Sequence, residues 1–544
     1  MRQSILEEVK RALTELPSQP NVTRLPPDEI RRRAEEFGRP TKFGNYNWIS
    51  SVKNRSTALT VAVGGEDVFE GPLTSRKRDI KKGAAETVRL VHDYLKKAPL
   101  IGVECTMGDN PDFAPRCTTY VSVYRRELVR LAHKVLQMFF PDNKAMGPEL
   151  MVVVIPEWHE KDRQVLVFPE IGVTYVLGTD YFGEVKNALL RMAMWYAGRE
   201  GMLGLHAACQ IVNARRPDGG LRKLGVMMFG IAATGKTTHA CHDHGLDAPG
   251  ESVGMVQDEV MFWRKDGSAL GSERGFYIKT DGLDPETHGV LYDAATRKSA
   301  VLDNVMVDYE GSVYFDDRTL TANGRAIIQR DELGDFAGES VNMPPLAELD
   351  GLILAFMCRN HGVVPIAGKL TCEQAAVAFL LSESIDATGA DSKMPVGPGK
   401  GVLASPFLLA DPAGEAAAFH DFVKCHADKI ECYLLNTGGV GEMVDYGLDG
   451  VRKVQRKVTR VSISEMASII RGIARGTTQW REDPNWMTET LHGVPGVDMA
   501  KFELSEHYDQ GKIDSLIASV RLERSSYLNG IKGLDPAIRN AVEF

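Results

Sequence analysis

The stretch Gly230-Ile-Ala-Ala-Thr-Gly235-Lys236-Thr237-Thr238 fits G-x-x-x-x-G-K-[ST] without exception and carries the most specific chemistry in the chain. The run Lys223-Leu-Gly-Val-Met-Met-Phe229 before it reads as a buried strand, and Thr237-Thr-His-Ala-Cys241 after it can open a helix. In that setting the loop residues Gly230, Ala233, Thr234, Gly235 and Thr238 aim backbone N–H groups at a polyphosphate. Lys236 can reach the outer phosphates, and Thr237 can give its hydroxyl to Mg2+. A ligand-free glycine turn between strand and helix is the alternative reading of the pattern alone.

Downstream, Ser252-Val-Gly-Met-Val-Gln-Asp258-Glu259 is a short apolar strand ending in two carboxylates. A carboxylate beside a phosphate loop commonly holds the bridging magnesium, which makes Asp258 the candidate. On spacing alone, a turn aspartate fits equally well. His206, in the strand-like run Gly201–Val212, reads by itself as a core histidine. His239, Cys241, His242 and His244 crowd together after the loop, but no second cluster at zinc spacing completes them.

The elements that must position these groups belong to an ordinary globular chain. Its 544 residues are 43% hydrophobic and 25% charged, sufficient for more than one domain. A net charge of −9 argues against a general nucleic-acid or membrane binder. The basic run Ser75–Lys82 reads as a solvated helix face. No run reaches the roughly 18 apolar residues that span a bilayer, and the N-terminus lacks a signal-peptide core, so a cytoplasmic location is the default. The eight cysteines show no CxxC pairing and read as reduced thiols.

Residues 1 to about 45 look helical, with Leu6, Val9, Leu13 and Leu16 forming one apolar stripe. Short strands and helices alternate from about 48 to 175, with Met151–Ile155 as a buried strand and 127–140 as a helix. A further strand covers 171–178, and a helix 185–196. Strand 352–356 precedes a helix near 371–384. Residues 387–401 are rich in glycine and proline and suit an active-site lid. The tail from about 463 reads as mainly helical.

The order of motifs resembles ATP-dependent phosphoenolpyruvate carboxykinase, from roughly residue 170 to 510. Gly178-Thr-Asp-Tyr181-Phe-Gly-Glu184-Val-Lys186-Asn187 is similar to that family's Gly-Thr-x-Tyr-x-Gly-Glu-x-Lys-Lys. Leu205-His206-Ala-Ala, the glycine loop and Gln257-Asp258-Glu259 follow in the family's order. So do Gly275-Phe-Tyr-Ile-Lys-Thr280, Leu302–Asp308, Asn323-Gly-Arg325, Gly362–Thr371, Asn436-Thr-Gly438, Thr459-Arg460-Val-Ser-Ile463 and Pro495–Asp498.

The resemblance implies a two-domain α/β kinase with its active site in a cleft, here divided into residues 1–215 and a P-loop domain over 216–544. It implies ATP, Mg2+ and Mn2+ as cofactors and oxaloacetate as the small-molecule substrate. Position by position, it makes His206 and Asp258 manganese ligands and Thr237 a magnesium ligand. Lys186, Lys236, Asp258 and Arg325 become catalytic residues, Tyr181 a substrate neighbour and Arg460 a nucleotide contact.

Two departures stand out. The family's second lysine, a metal ligand, is Asn187 here; an amide oxygen is a neutral hard ligand that a divalent ion accepts. The family's Gly-Arg-Ser-Pro-x-Asp-Lys is reduced to Asn54-Arg55-Ser56-Thr-Ala-Leu-Thr60, leaving Arg55 as a substrate-carboxylate contact or a surface arginine. A kinase of another small molecule, or a nucleotide binder without turnover, are the other readings these losses permit.

Overall fold

The computed structural model describes residues 2–55, 59–64, 68, 73–141, 145–158, 163–231, 234–381, 411–446 and 452–544. Ala233 and the candidate lid 387–401 lie outside the described residues. The chain is a mixed α/β protein built on three large sheets. The first, eight-stranded, is drawn from residues 22–177 and runs in the order Val22–Thr23, Leu100–Thr106, Arg116–Ser122, Glu149–Ile155, Val173–Leu177, Gln164–Phe168, Thr60–Ala62, with Phe140–Pro141 at one side. Glu149–Ile155 pairs parallel with both neighbours, which explains its unbroken run of β-branched residues: a central parallel strand is covered on both faces. The amino-terminal stripe packs as expected, with Val9, Leu13 and Leu16 buried against the helix Ser75–Leu95.

The second sheet, ten-stranded, carries the glycine loop. Strand Leu203–Arg215 is antiparallel to Leu221–Phe229, which is parallel to Gly351–Cys358, itself parallel to Ile430–Asn436. All eight residues of Gly351–Cys358 are buried, as their sequence Gly-Leu-Ile-Leu-Ala-Phe-Met-Cys requires. The third sheet joins Arg39–Pro40 and Tyr46–Trp48 from the amino-terminal region to Val301–Asp303, Arg325–Gln329 and Gly275–Lys279. Chain segments far apart in sequence are thus tied together where Arg325 emerges.

One helix sits between the first two sheets. Phe182–Arg199 is buried on every face from Phe182 to Trp195 and packs on Glu149–Ile155 and Val173–Leu177 on one side, and on Leu203–Arg215 on the other. A helix buried all round holds its polar residues only by pairing them, and its second turn carries Lys186 and Asn187. A second tie is the ion pair Lys134 to Asp303 at 2.7 Å, linking helix Val129–Met138 to the third sheet with both side chains 1% exposed.

The tail is mainly helical as expected, with two short strands inserted that the sequence reading did not foresee. After the helix Ile463–Arg475, which carries a Ser462/Glu465 capping box, come strands Gln479–Asp483 and Thr488–Gly493. They form the edge of the second sheet through Thr490 opposite Gly368, with Trp480 stacked on Tyr433. Helices Gln510–Asn529 and Pro536–Asn540 then close the chain. The outermost strand, Gln479–Asp483, is short and rich in charge (Gln-Trp-Arg-Glu-Asp), a composition that discourages edge-to-edge pairing and hides the period-2 signal.

Candidate active site

Register places the site. His206 lies opposite Val260 and Cys209 opposite Gln257, so Asp258 and Glu259 fall in the interruption between two short strands that both pair with Leu203–Arg215. On the other side of that strand, Ala207 pairs with Phe229, the last residue before Gly230. The histidine, the two carboxylates and the start of the glycine loop therefore come to one end of one sheet.

The loop is tightly built. At Gly230 a Cβ would collide with the Thr234 hydroxyl, and Gly235 has φ +84°, a left-handed conformation that glycine adopts at least cost. The Thr234 hydroxyl donates to the Ile231 carbonyl at 2.8 Å. Thr437 donates its hydroxyl to the carbonyls of Thr234 (2.8 Å) and Cys358 (3.1 Å), pinning the loop to the neighbouring strand end. The helix Lys236–Ala240 starts immediately, with Lys236 buried and Thr237 and Thr238 half-buried. Thr237 donates its hydroxyl to Asp258 Oδ2 at 3.2 Å.

Around this loop charges of both signs are packed out of water. Lys186 Nζ stands 3.4 Å from Glu259 Oε2 and 3.3 Å from Glu273 Oε1. His206 Nε2 is 3.5 Å from Glu259 Oε1. Burial pushes the Asp258 carboxyl up, against the pull of Lys236. Burial acts likewise on Glu259, but Lys186, the His206 contact and Lys236 outweigh it and hold that group well below the carboxylate range. Glu273 is pushed up to about 7 by burial, opposed by Lys186. Burial, Lys236 and Arg55 together lower His206 to about 4, leaving at neutral pH the uncharged imidazole that coordinates metals.

The same site extends toward a second group of side chains. Arg325 gives Nε (3.0 Å) and Nη2 (2.8 Å) to Asn323 Oδ1, and Asn323 Nδ2 donates to the Tyr181 hydroxyl at 3.2 Å. Arg325 and Lys186 both lie over the Tyr277 ring, at 5.5 and 5.7 Å from its centre. Arg55, half-buried, is near enough for its charge to bear on His206 and Arg191. Arg460 is exposed on the short ladder pairing it with Gly439, and its charge bears on His361. Glu273, Tyr277 and Asn323 were not singled out from sequence as site residues; Tyr277 and Asn323 stand inside quoted motifs, and Glu273 two residues before one.

Among the described residues, Asn187 Oδ1, Asp258 Oδ1 and Lys236 Nζ are buried here with no hydrogen-bond partner, while Lys186 Nζ and Glu273 Oε1 meet only as an ion pair. Acceptors left unsatisfied in a dry site fit a divalent cation, and an unsatisfied ammonium fits a phosphate. Among the described residues no three His, Cys, Asp or Glu side chains form a metal cage by themselves, so a cation here needs the amide and hydroxyl oxygens as well.

The histidines after the loop serve the fold. His239, His242 and His244 rings lie 5.5 to 6.4 Å apart, and Gln210 Nε2 donates to the carbonyls of His239 (3.1 Å) and Ala240 (2.6 Å). Burial lowers His239 to about 3, and it lowers His133, in helix Val129–Met138, equally. Both are neutral when folded and bind a proton below about pH 6.5 when unfolded, so stability is greatest above that pH and is lost as pH falls from there toward 3. Each group contributes up to about 1.4 kcal/mol per pH unit. Urea midpoints measured from pH 7.5 to 5 should fall below pH 6.5, and His239→Gln should flatten that slope.

Fold and site together define a mixed α/β protein in which a glycine-rich loop and paired carboxylates share one end of the second sheet, beside an arginine–tyrosine group carried by the third. The family model for phosphoenolpyruvate carboxykinase, in its ATP-dependent form, matches residues 34–500. The phosphoenolpyruvate carboxykinase (ATP) of Aeropyrum pernix is 28% identical over 510 residues, covering 93% of this chain and 94% of that protein. The proteins of the same name from Afipia carboxidovorans and Rhodopseudomonas palustris strain HaA2 are each 26% identical, covering 74% and 75% of this chain and 72% and 73% of their own. The chain belongs to the ATP-dependent phosphoenolpyruvate carboxykinase family. Membership implies ATP, a divalent metal and a small-molecule substrate. No helix among the described residues is long and apolar enough to cross a membrane.

Proposed function

We propose that the protein converts oxaloacetate and ATP to phosphoenolpyruvate, ADP and CO2. The observation that carries this reading is the proximity of two groups in a chain of this family: the loop residues Lys236 and Thr237 beside Asp258, and Tyr181, Asn323 and Arg325 around Tyr277, joined through Lys186 and Glu259. Breaking the carboxylate C–C bond of oxaloacetate leaves its electron pair on the enolate oxygen, which then takes the outer phosphoryl group. Arg55 and Arg325 bind and orient the carboxylates, and Tyr181 flanks them. Lys186 and Lys236 balance the charge that develops on the enolate and the transferring phosphate. The loop backbone from Gly230 through Ala233, Thr234 and Gly235 to Thr238 cradles the phosphates, and Arg460 lies against the nucleotide.

Mn2+ would be held by His206, Asp258 and Asn187, and Mg2+ by Thr237; such ions supply Lewis-acid polarisation and charge neutralisation. Two units flank the cleft in this reading, but the expected division into 1–215 and 216–544 shifts to before Leu203, because Leu203–Arg215 pairs with Leu221–Phe229 in the second sheet; 387–401 serves as a lid, and the cytoplasm is the location. The test is phosphoenolpyruvate formation from oxaloacetate and ATP with both metals, with Lys236→Ala as the blank. Product no higher than the blank would overturn the reading.

Asn187 favours a second reading, a kinase of another small molecule, because a neutral amide replaces the family's lysine in the metal shell. Asn187→Lys separates the two roles of the position. A lysine must lose a proton to ligate, whereas the amide has none to lose. In the variant, Mn2+ affinity measured calorimetrically at pH 6.5 and 8.5 should therefore rise by up to about tenfold per pH unit more than in the parent. An identical pH dependence in both would remove Asn187 from the metal shell. Metal affinity that behaves as expected with no phosphoenolpyruvate formed would favour the other substrate.

A further inference from the structure

The segment Ser50–Arg55 lacks the Pro, Asp and Lys that follow the arginine in the family pattern, so its rigidity must come from elsewhere. The structure shows a source. Asp180, 3% exposed, accepts the backbone N–H of Ser51 on Oδ2 (2.8 Å) and that of Val52 on Oδ1 (3.0 Å). The same Oδ2 accepts Arg130 Nη2 at 2.7 Å, with Arg125 Nη2 at 3.7 Å. Ser50 is fixed in turn by Asn304, whose Oδ1 accepts the Ser50 N–H (2.9 Å) and hydroxyl (3.0 Å); Asn304 itself has φ +60°. At the far end of the arm, Asn323 Nδ2 donates to the Lys53 carbonyl at 2.7 Å while also reaching the Tyr181 hydroxyl.

Asp180 immediately precedes Tyr181, and the resemblance to the family pattern leaves its position variable. We propose that Asp180 is a positioning residue: its carboxylate locks the Ser50–Arg55 arm to the Tyr181 turn and so sets where Arg55 meets a dicarboxylate substrate. The inference rests on the carboxykinase reading for the substrate's identity, and on geometry alone for the clamp. Only a carboxylate offers acceptors to two backbone N–H groups and a guanidinium at once. In Asp180→Asn one oxygen becomes an NH2 facing those donors, and the arm is released while the nucleotide loop keeps its own supports at Thr437.

Asp180→Asn is expected to raise the KM for oxaloacetate on the order of tenfold or more, through loss of orientation, with the KM for ATP within about twofold of the parent. In an Arg55→Ala background the same substitution should add nothing further to the oxaloacetate KM, because both act through one contact. A purely structural role would raise both KM values alike, or add fully to Arg55→Ala, and either result would overturn the proposal. Hydrogen–deuterium exchange on the unmodified protein tests the clamp without a variant. The Ser51 and Val52 amides should be protected although Ser51 is exposed, and exchange at open-loop rates would overturn the clamp. If the unmodified protein does not turn over oxaloacetate, the proposed function fails, and amide exchange alone decides on Asp180.

Discussion

Lys236→Ala is expected to lower kcat for phosphoryl transfer on the order of 10^3-fold, the size of effect seen when one preorganised charge is removed from a water-excluded site. Lys236 is 7% exposed, and its ammonium has no hydrogen-bond partner among the described residues. Burial lowers its pKa, while Glu259 and Asp258 raise it. The protein thus keeps a buried cation supported by charge at a distance rather than by direct bonds, which leaves its donors available to phosphate oxygens. Alanine removes that cation and also the strongest pull keeping Asp258 ionised, so metal affinity should fall together with kcat. Lys236→Arg should not restore the rate: the larger planar guanidinium does not fit a slot shaped for one ammonium. The measurement is single-turnover phosphoryl transfer beside a metal titration. Turnover within about tenfold of the parent would contradict the assignment.

The strand, loop and helix start were legible because each depends on neighbours in sequence: an apolar run, glycines at turns and a Lys-Thr pair. The buried parallel strands were legible for the same reason, since Met151–Ile155 and Leu352–Phe356 are apolar without interruption. What could not be read was the pairing of distant polar groups. Nothing in Glu273 or Glu259 announces that both will lie within 3.4 Å of Lys186, because the helix carrying Lys186 meets them only when two sheets close on it. Asp180 is only a spacer inside its motif in the sequence, and the folded chain alone brings Ser51 and Val52 to it across more than a hundred residues. His206 shows the reverse: an unremarkable strand histidine by pattern, raised to a candidate ligand by resemblance, and set by strand register beside the Asp258–Glu259 interruption.

Asp258→Asn is expected to weaken divalent-metal binding on the order of 10^2-fold, the upper end of what even outer-shell changes cost. The substitution preserves volume and can still accept from Thr237, so the loss reports charge rather than shape. Asp258 holds one oxygen toward the Thr237 hydroxyl and leaves the other buried without a hydrogen-bond partner among the described residues, an arrangement that is costly unless a cation completes it. A second consequence separates this residue from a purely structural aspartate. Asp258 is one of three carboxylates, with Glu259 and Glu273, that raise the pKa of Lys236 against burial. Without it the ammonium loses its proton at lower pH. Since phosphate contact requires the charged form, the alkaline limb of the kcat profile should move to lower pH in Asp258→Asn and stay in place in a control such as Asp266→Asn, at a surface turn. An unmoved alkaline limb with weakened metal binding would restrict Asp258 to the metal. Unchanged metal binding would detach it from the site altogether and return it to the turn aspartate that spacing alone allowed.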